Sequence, residues 1–352
     1  MVTDSSLRLD VLTGRQVILA PSRSLRPGAV REEPSLAAPN GGDPFAEGNE
    51  DLTPGETLSL RDNETQPNRP GWLVRVVPNQ FPAVTAQPAP VSLRHNPLLV
   101  QRPAAGMQEV VIESPHPHRR LTDLSVTEMT RVLMAWQRRV TVMQEMSFIR
   151  SITVFRNEGY SAGASLPHVH SQIIGTETIP LQVSERQHRN RIYREQHDRS
   201  LLLDLCDAER NGGRRVIADT TNCLVLCPYA SRVTWQVRIV PVPEKAVPFS
   251  DCAESKLAQV ASHIHAAAAS ITQVTGPVSM NVLLVQPPVD DSSEPWFIDM
   301  LPRSSRIAGF ELATDVDIIT VAPEEAAKQL SQYYNTSHVT TSEIIPPGYG
   351  WC

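Results

Sequence analysis

Residues 157–172, NEGYSAGASLPHVHSQ, decide how this chain is read. A turn rich in Gly, Ser and Ala leads into His168, His170 and Gln172 at every second position. On a β-strand alternate side chains point to one face. Two imidazoles and an amide are therefore expected to converge on one patch. The glycines before them let the backbone approach a ligand closely, and the combination suits a phosphate.

The rest of the chain sets bounds on that patch. A length of 352 residues suits two domains or one large duplicated one, and 41% hydrophobic content supplies a sizeable core. The net charge of −6 argues against a nucleic-acid or anionic-membrane footprint, so phosphate affinity must come from a few placed Arg and His side chains. No apolar run is long enough to span a bilayer. The opening MVTDSSLRLD lacks the basic flank and apolar core of a signal peptide. Five cysteines, Cys206, Cys223, Cys227, Cys252 and Cys352, are scattered without a CxxC spacing. A disulfide scaffold is not expected, and a reducing, cytoplasmic location is.

Working outward, residues 24–70 are rich in Pro, Gly, Asn, Asp and Glu. They read as one long irregular excursion between a strand at Gln16–Ala20 and another at Trp72–Val77. A strand follows at Glu109–Ser114. Ser125 and Glu128 form a capping box ahead of Met129, Leu133, Trp136, Val140 and Met143 at helical spacing, a core stripe rather than a cofactor site. The strand Ser151–Arg156 then runs into the histidine segment. After a polar linking helix over 180–200, the order repeats. Cys223–Cys227, Gln236–Val240, a helix carrying Leu257, Val260, Ile264 and Ile271, Val278–Gln286 and Trp296–Met300 match the first set at similar spacing. The repeat predicts an α+β fold of two duplicated units, 1–180 and 181–352, each an antiparallel sheet with a long helix. Only the first copy keeps the histidines, so only it is expected to do chemistry.

Taken alone, His170 is a candidate general base, nucleophile, metal ligand or buried polar residue. The spacing is wrong for a helical metal pair. Phosphoryl or nucleotidyl transfer fits better, because a neutral imidazole is available as a nucleophile near pH 7. Gln172 is placed to donate to a phosphoryl oxygen as charge builds there. Backbone N–H groups of residues 163–165 are expected to do the same.

At this point a resemblance becomes specific. Asn157-x-Gly159, Gly163-Ala164-Ser165 and His168-x-His170-x-Gln172 resemble the active-site signature of the galactose-1-phosphate uridylyltransferase family of the histidine-triad superfamily. Residues 20–27, with Arg23 and Arg26, resemble the family's phosphate loop. Residues 75–82 resemble its nucleotide-binding strand, 109–115 the next strand, and 302–311 its hexose-binding segment. The same matches fit the related ADP-glucose phosphorylase branch.

The resemblance implies a fold of two histidine-triad-like domains, the second contributing to the sugar site, and a homodimer. It implies a nucleoside-diphosphate sugar as donor and a sugar 1-phosphate, or phosphate, as acceptor. It implies attack on the α-phosphorus by His170, with Gln172 on the group in transit. Asn157, Gly163 and Ser165 would hold the diphosphate, Asn79 would meet the nucleoside side, Arg23 and Arg26 would neutralise phosphate, and Phe310 and Glu311 would face the sugar. A third reading is a nucleotide-binding homologue with weak catalysis.

The chain departs from the family where structural zinc is concerned. The family's Cys pair is replaced by Asp43 and Ala46, and its histidine falls on Pro117, between His116 and His118. A site built from Asp43, His168 and a flanking histidine would lack thiolates. No zinc is expected at this place, and His168, freed from it, is expected to orient His170 by hydrogen bonding. The late segment 295–299 carries no histidine for a second metal.

Overall fold

A computed structural model gives the protein's structure and describes residues 4–25, 36, 42–87, 98–241, 247–291, 293–337 and 341–352. In the first half the strands are β1 (Ser6–Leu9), β2 (Gln16–Leu19), β3 (Leu58–Asp62), β4 (Trp72–Pro78), β5 (Gly106–Ile112), β6 (Ser151–Glu158) and β7 (His170–Thr176). In the second half they are β8 (Val216–Asp219), β9 (Cys223–Leu226), β10 (Val237–Pro241), β11 (Met280–Val285), β12 (Phe297–Pro302), β13 (Asp317–Ile319) and β14 (Tyr349–Trp351). The helices are α1 (Val126–Gln144), α2 (Leu181–His197), α3 (Leu201–Gly212), α4 (Glu254–Thr275), α5 (Gly309–Thr314), α6 (Pro323–Leu330) and α7 (Thr341–Ile344). No helix among the described residues is long and apolar enough to cross a membrane.

Eleven strands form one sheet in the order β14-β3-β4-β5-β7-β6-β11-β12-β10-β9-β8. Read outward from its centre, each half runs through the same arrangement, and the two halves join where β6 pairs antiparallel with β11. The fold is thus α+β and duplicated, as the repeat predicts. A separate sheet of β1, β2 and β13 packs its Val17, Leu19 and Ile319 around Ala230.

Helices α1 and α4 pack on each other and cover one face of the large sheet. Helix α1 begins where expected. Ser125 Oγ accepts the Glu128 N–H at 3.2 Å, and the Glu128 carboxylate accepts the Ser125 N–H at 2.8 Å. Its stripe of Met129, Leu133, Trp136, Val140 and Met143 is buried against Val111, Val154 and Ile173 of the sheet. Burial of such side chains stabilises by roughly 1.5–3 kcal/mol each before entropy is counted. Trp136 also donates its Nε1–H to Ser171 Oγ at 2.7 Å. That bond ties the helix to the residue between His170 and Gln172.

The sequence reading of 24–70 as one excursion is corrected. Residues 58–62 form β3, antiparallel to β4, with β14 on its other edge. The strand escaped notice because charged residues stand where a core strand shows aliphatic ones. Arg61 and Arg75 are both buried, and both bond the Glu56 carboxylate at 3.0 Å. Helix α3 is likewise an addition to the sequence reading. The C-terminal stretch, without an assignment from sequence, buries Ile344 in the main core and lends β14 to the sheet edge.

Replacing Trp136 by Phe keeps an aromatic ring but removes part of the buried volume and leaves Ser171 Oγ without its donor. A loss of about 1–3 kcal/mol in denaturant unfolding is expected. An unchanged midpoint would show that this bond contributes nothing net.

Candidate active site

The alternation of β7 divides its residues. Ser171 and Ile173 face α1, while His170 and Gln172 face the opposite side of the sheet. Pairing runs Val110 to Gln172 and Ile112 to His170 on β5, and Phe155 to Gln172 on β6. One residue beyond the Arg156–Ser171 pair, Asn157 comes opposite His170, and Asn157 in turn pairs with Asn281 of β11. A row of polar side chains therefore crosses the middle of the sheet, His170, Asn157, Asn281. At about 4.8 Å per strand it spans about 10 Å.

His170 is 5% exposed, and its Nδ1 lies 2.8 Å from the backbone carbonyl of His168. A carbonyl only accepts, so the proton sits on Nδ1 and the lone pair on Nε2. Burial lowers the pKa of His170 to about 4, opposed by that hydrogen bond and assisted by the charge of Arg156. The imidazole is therefore neutral at pH 7, with a defined nucleophilic nitrogen. The Phe45 ring meets it edge-on, with centroids 5.2 Å apart.

His168 orients His170 through its backbone carbonyl, not through its ring. The ring turns away, with Nε2 2.8 Å from the Ser114 carbonyl and Nδ1 2.6 Å from Asp43 Oδ2. The carbonyl only accepts, so Nε2 carries a proton and Nδ1 faces the Asp43 carboxylate. Zinc would need a nitrogen lone pair with the metal about 2.0–2.1 Å away, and Asp43 already occupies that direction. His116 and His118 pack edge-on to each other, with centroids 5.8 Å apart, and His118 Nε2 is 3.8 Å from Glu128. Among the described residues no group of three His, Cys, Asp or Glu side chains is arranged to hold a metal.

The turn before β7 is built by two glycines. Gly159 has φ +80° and lies so close to Ser279 that a Cβ would stand 2.2 Å from Ser279 Oγ. Gly163 has φ +85° and closes the turn with its N–H on the Tyr160 carbonyl at 3.0 Å. The Ala164 N–H returns to Gly159 at 3.2 Å. The expectation of three free backbone donors at 163–165 is corrected, because the turn uses two of them internally. Only Ser165 keeps its N–H for a ligand, and its side chain is exposed.

Behind the site Arg156 is buried with two carboxylates, Glu113 and Glu158. Burial raises the pKa of Glu158 against the pull of Arg156, and its carboxylate accepts the Leu121 N–H at 2.6 Å. This cluster lies on the face of β6 opposite His170 and Gln172.

The other expected site residues fall as follows. Asn79 lies beside Gln172, its Nδ2 3.4 Å from Gln172 Oε1. Arg23 is half-buried in a short 3-10 turn after β2. Arg26 lies outside the described residues. Glu311 lines a cavity of about 200 Å³ together with Asn281, Arg232, Arg303 and Arg306. His170 does not line this cavity, but Asn281 links the two. Its Nδ2 donates to Asn157 Oδ1 at 2.8 Å and to the Ala162 carbonyl at 2.9 Å, and its Oδ1 accepts Arg303 Nε at 2.6 Å. Phe310 is 46% exposed and stands outside the cavity lining. Phe45, Gln108 and Asn281 were missed from sequence. Gln108 alone carried a signal, standing on the alternate positions of β5 that end at Ile112.

Comparison with known proteins gives the family. The sequence model for the N-terminal domain of galactose-1-phosphate uridyl transferase matches residues 2–180, and the chain belongs to that family. A second model, for a domain of unknown function, matches residues 121–342. ADP-glucose phosphorylase of Arabidopsis thaliana is 28% identical, over 93% of this chain and 92% of its own. Galactose-1-phosphate uridylyltransferase of Thermotoga maritima is 24% identical, over 72% of this chain and 82% of its own. The crystal structure of the Arabidopsis thaliana phosphorylase with bound ADP-glucose superposes with a TM-score of 0.77 at 25% identity, covering 94% of this chain and 99% of that one.

The pKa of His170 gives a direct check. In nitrogen-resolved NMR its Nδ1 should stay protonated and Nε2 bare from pH 7 down to about 4, where the ring charges. Depression below the free value means protonation is resisted between pH 6.5 and about 4. A ring that titrates near 6.5 would contradict the burial argument.

Proposed function

We propose that this protein transfers a nucleoside monophosphate from a nucleoside-diphosphate sugar to a phosphate-bearing acceptor through a covalent intermediate on His170. The observation that carries this reading is the neutral His170, its tautomer fixed by the His168 carbonyl, beside the amide of Gln172. The Nε2 lone pair attacks the α-phosphorus. A P–N bond forms, the P–O bond to the leaving phosphate breaks, and a sugar 1-phosphate departs with that electron pair. The acceptor's phosphate oxygen then attacks the same phosphorus, and the P–N electrons return to Nε2. Gln172 and the Ser165 N–H stand where charge builds on the phosphoryl oxygens. Asn157 is held by Asn281 on the diphosphate side, and Asn79 borders the nucleoside side. Arg23, and Arg26 beyond the described residues, remain the proposed phosphate-neutralising pair.

The acceptor distinguishes two forms of this reaction. Similarity to the plant phosphorylase over nearly the whole of both chains favours ADP-glucose as donor and inorganic phosphate as acceptor. The second form is the uridylyltransferase reaction with UDP-glucose and a hexose 1-phosphate, favoured by the family of residues 2–180. In either form the cavity of Glu311, Arg303 and Arg306 is proposed to take the anionic sugar phosphate or its phosphate.

Incubation with each donor and mass spectrometry should reveal one nucleotide adduct on His170, absent in His170→Ala. Adding phosphate or galactose 1-phosphate should discharge it, and the faster of the two names the reaction. No adduct with either donor in the wild-type protein would end the covalent reading. We also propose that the Asp43–His168 pair, rather than zinc, fastens this region. Asp43→Ala is expected to lower stability by about 1–3 kcal/mol, since it strands a buried imidazole. Stoichiometric zinc in the purified protein would overturn the proposal.

A further inference from the structure

An amide side chain can face either way, and only its partners say which. At Gln172 two separate chains of partners give the same answer. In the first, the Ala83 N–H bonds the side-chain oxygen of Gln108 at 2.7 Å. A backbone N–H only donates, so the Gln108 oxygen must face Ala83. Its NH₂ group must then face Gln172, whose Oε1 is 2.8 Å away. In the second, the Phe81 N–H bonds Asn79 Oδ1 at 2.8 Å, which turns the Asn79 NH₂ toward the same Gln172 oxygen at 3.4 Å. Gln172 Oε1 receives both donors, and its NH₂ group has no acceptor among the described residues.

We infer that Gln108, set by the backbone of residues 79–83, is a positioning residue that locks Gln172 as a hydrogen-bond donor toward the phosphoryl group in transit. The inference rests on His170 being the nucleophile, and deepens that reading. The polarity matters because phosphoryl oxygens accept only. A flipped Gln172 would set its carbonyl oxygen against them and replace a stabilising contact by a repulsive one. Gln108 touches no reacting atom, since its side chain is spent between Ala83 and Gln172. The relay also couples the site to a connection outside the sheet, because residues 81–83 follow the end of β4.

Gln108→Glu keeps size and length but offers only acceptors. It can still receive Ala83, and it draws the NH₂ group of Gln172 toward itself. Single-turnover labelling with ADP-glucose or UDP-glucose carrying radioactive α-phosphate should slow by about 100-fold, the scale of losing one oriented donor. Gln172→Leu should slow it comparably, and the double variant should be no slower than Gln172→Leu alone. Gln108→Leu gives the same comparison should the Glu variant fold poorly. Wild-type rates in both Gln108 variants, or losses that multiply in the double variant, would overturn the inference. His170→Ala tests the underlying reading separately, because labelling that survives it removes the nucleophile rather than the relay. Side-chain amide NMR reads the relay without any turnover. The NH₂ group of Gln108 should be protected from solvent exchange and that of Gln172 open, with protection of Gln172 appearing in Gln108→Glu. The reverse pattern in the wild type would sink the proposal.

Discussion

Everything at the site depends on the two-residue period of β7. The strand must satisfy a helix on one side and a ligand on the other, and it does so by assigning alternate residues. Ser171 takes the indole of Trp136, and Ile173 enters the core. His170 and Gln172 are thereby turned outward together, and a slip of one residue would exchange the two sets. The pairing of β7 on both sides, with β5 and β6, prevents such a slip. Packing thus sets the geometry: the buried stripe of α1 holds the register that presents His170 and Gln172 on the other face.

The same period explains why the duplication is asymmetric. In the first half Val110 stands opposite Gln172 and Gln108 reaches it diagonally. In the second half Arg238 stands opposite Asp299 and Gln236 reaches it diagonally, at 3.1 Å. On that register Phe297 stands two residues before Asp299, as His170 stands two before Gln172. The scaffold of the second site survives, but its contents differ. Arg238 grips Asp299 with two bonds of 2.8 Å and lies 4.1 Å over the Phe297 ring. Leu202 and Cys206 of α3 close over that patch, together with Leu12. A phenyl ring has no lone pair to offer phosphorus, so the second half keeps a structural role there and reaches the first site through Asn281.

Periodic features were legible in the sequence. The capping box of α1, its apolar stripe, the alternation through His170 and the repeated order of elements all follow from local rules that a single chain displays. Strand β3 was not legible because its burial is achieved by charge pairing, and a pairing such as Glu56 with Arg61 and Arg75 joins residues that no local pattern connects. The site divides in the same way. His170, Gln172 and the turn glycines lie in one stretch and could be read. Gln108 and Asn281 act across strands and Phe45 from a distant loop, and only the tertiary fold brings them to the motif.

The segment carrying Asp43 and Phe45 sharpens the contrast between fold and chemistry. Its two side chains reach successive outward residues of the motif, Asp43 the ring of His168 and Phe45 the ring of His170. One carboxylate and one aromatic edge divide the task of holding the two rings. The tautomer of His170 does not depend on how His168 is fastened, because the bond that fixes it comes from the backbone of residue 168 and not from its ring. Any side-chain arrangement that keeps that carbonyl in place leaves Nε2 of His170 free. The side chains around the motif can therefore change while His170 keeps its tautomer.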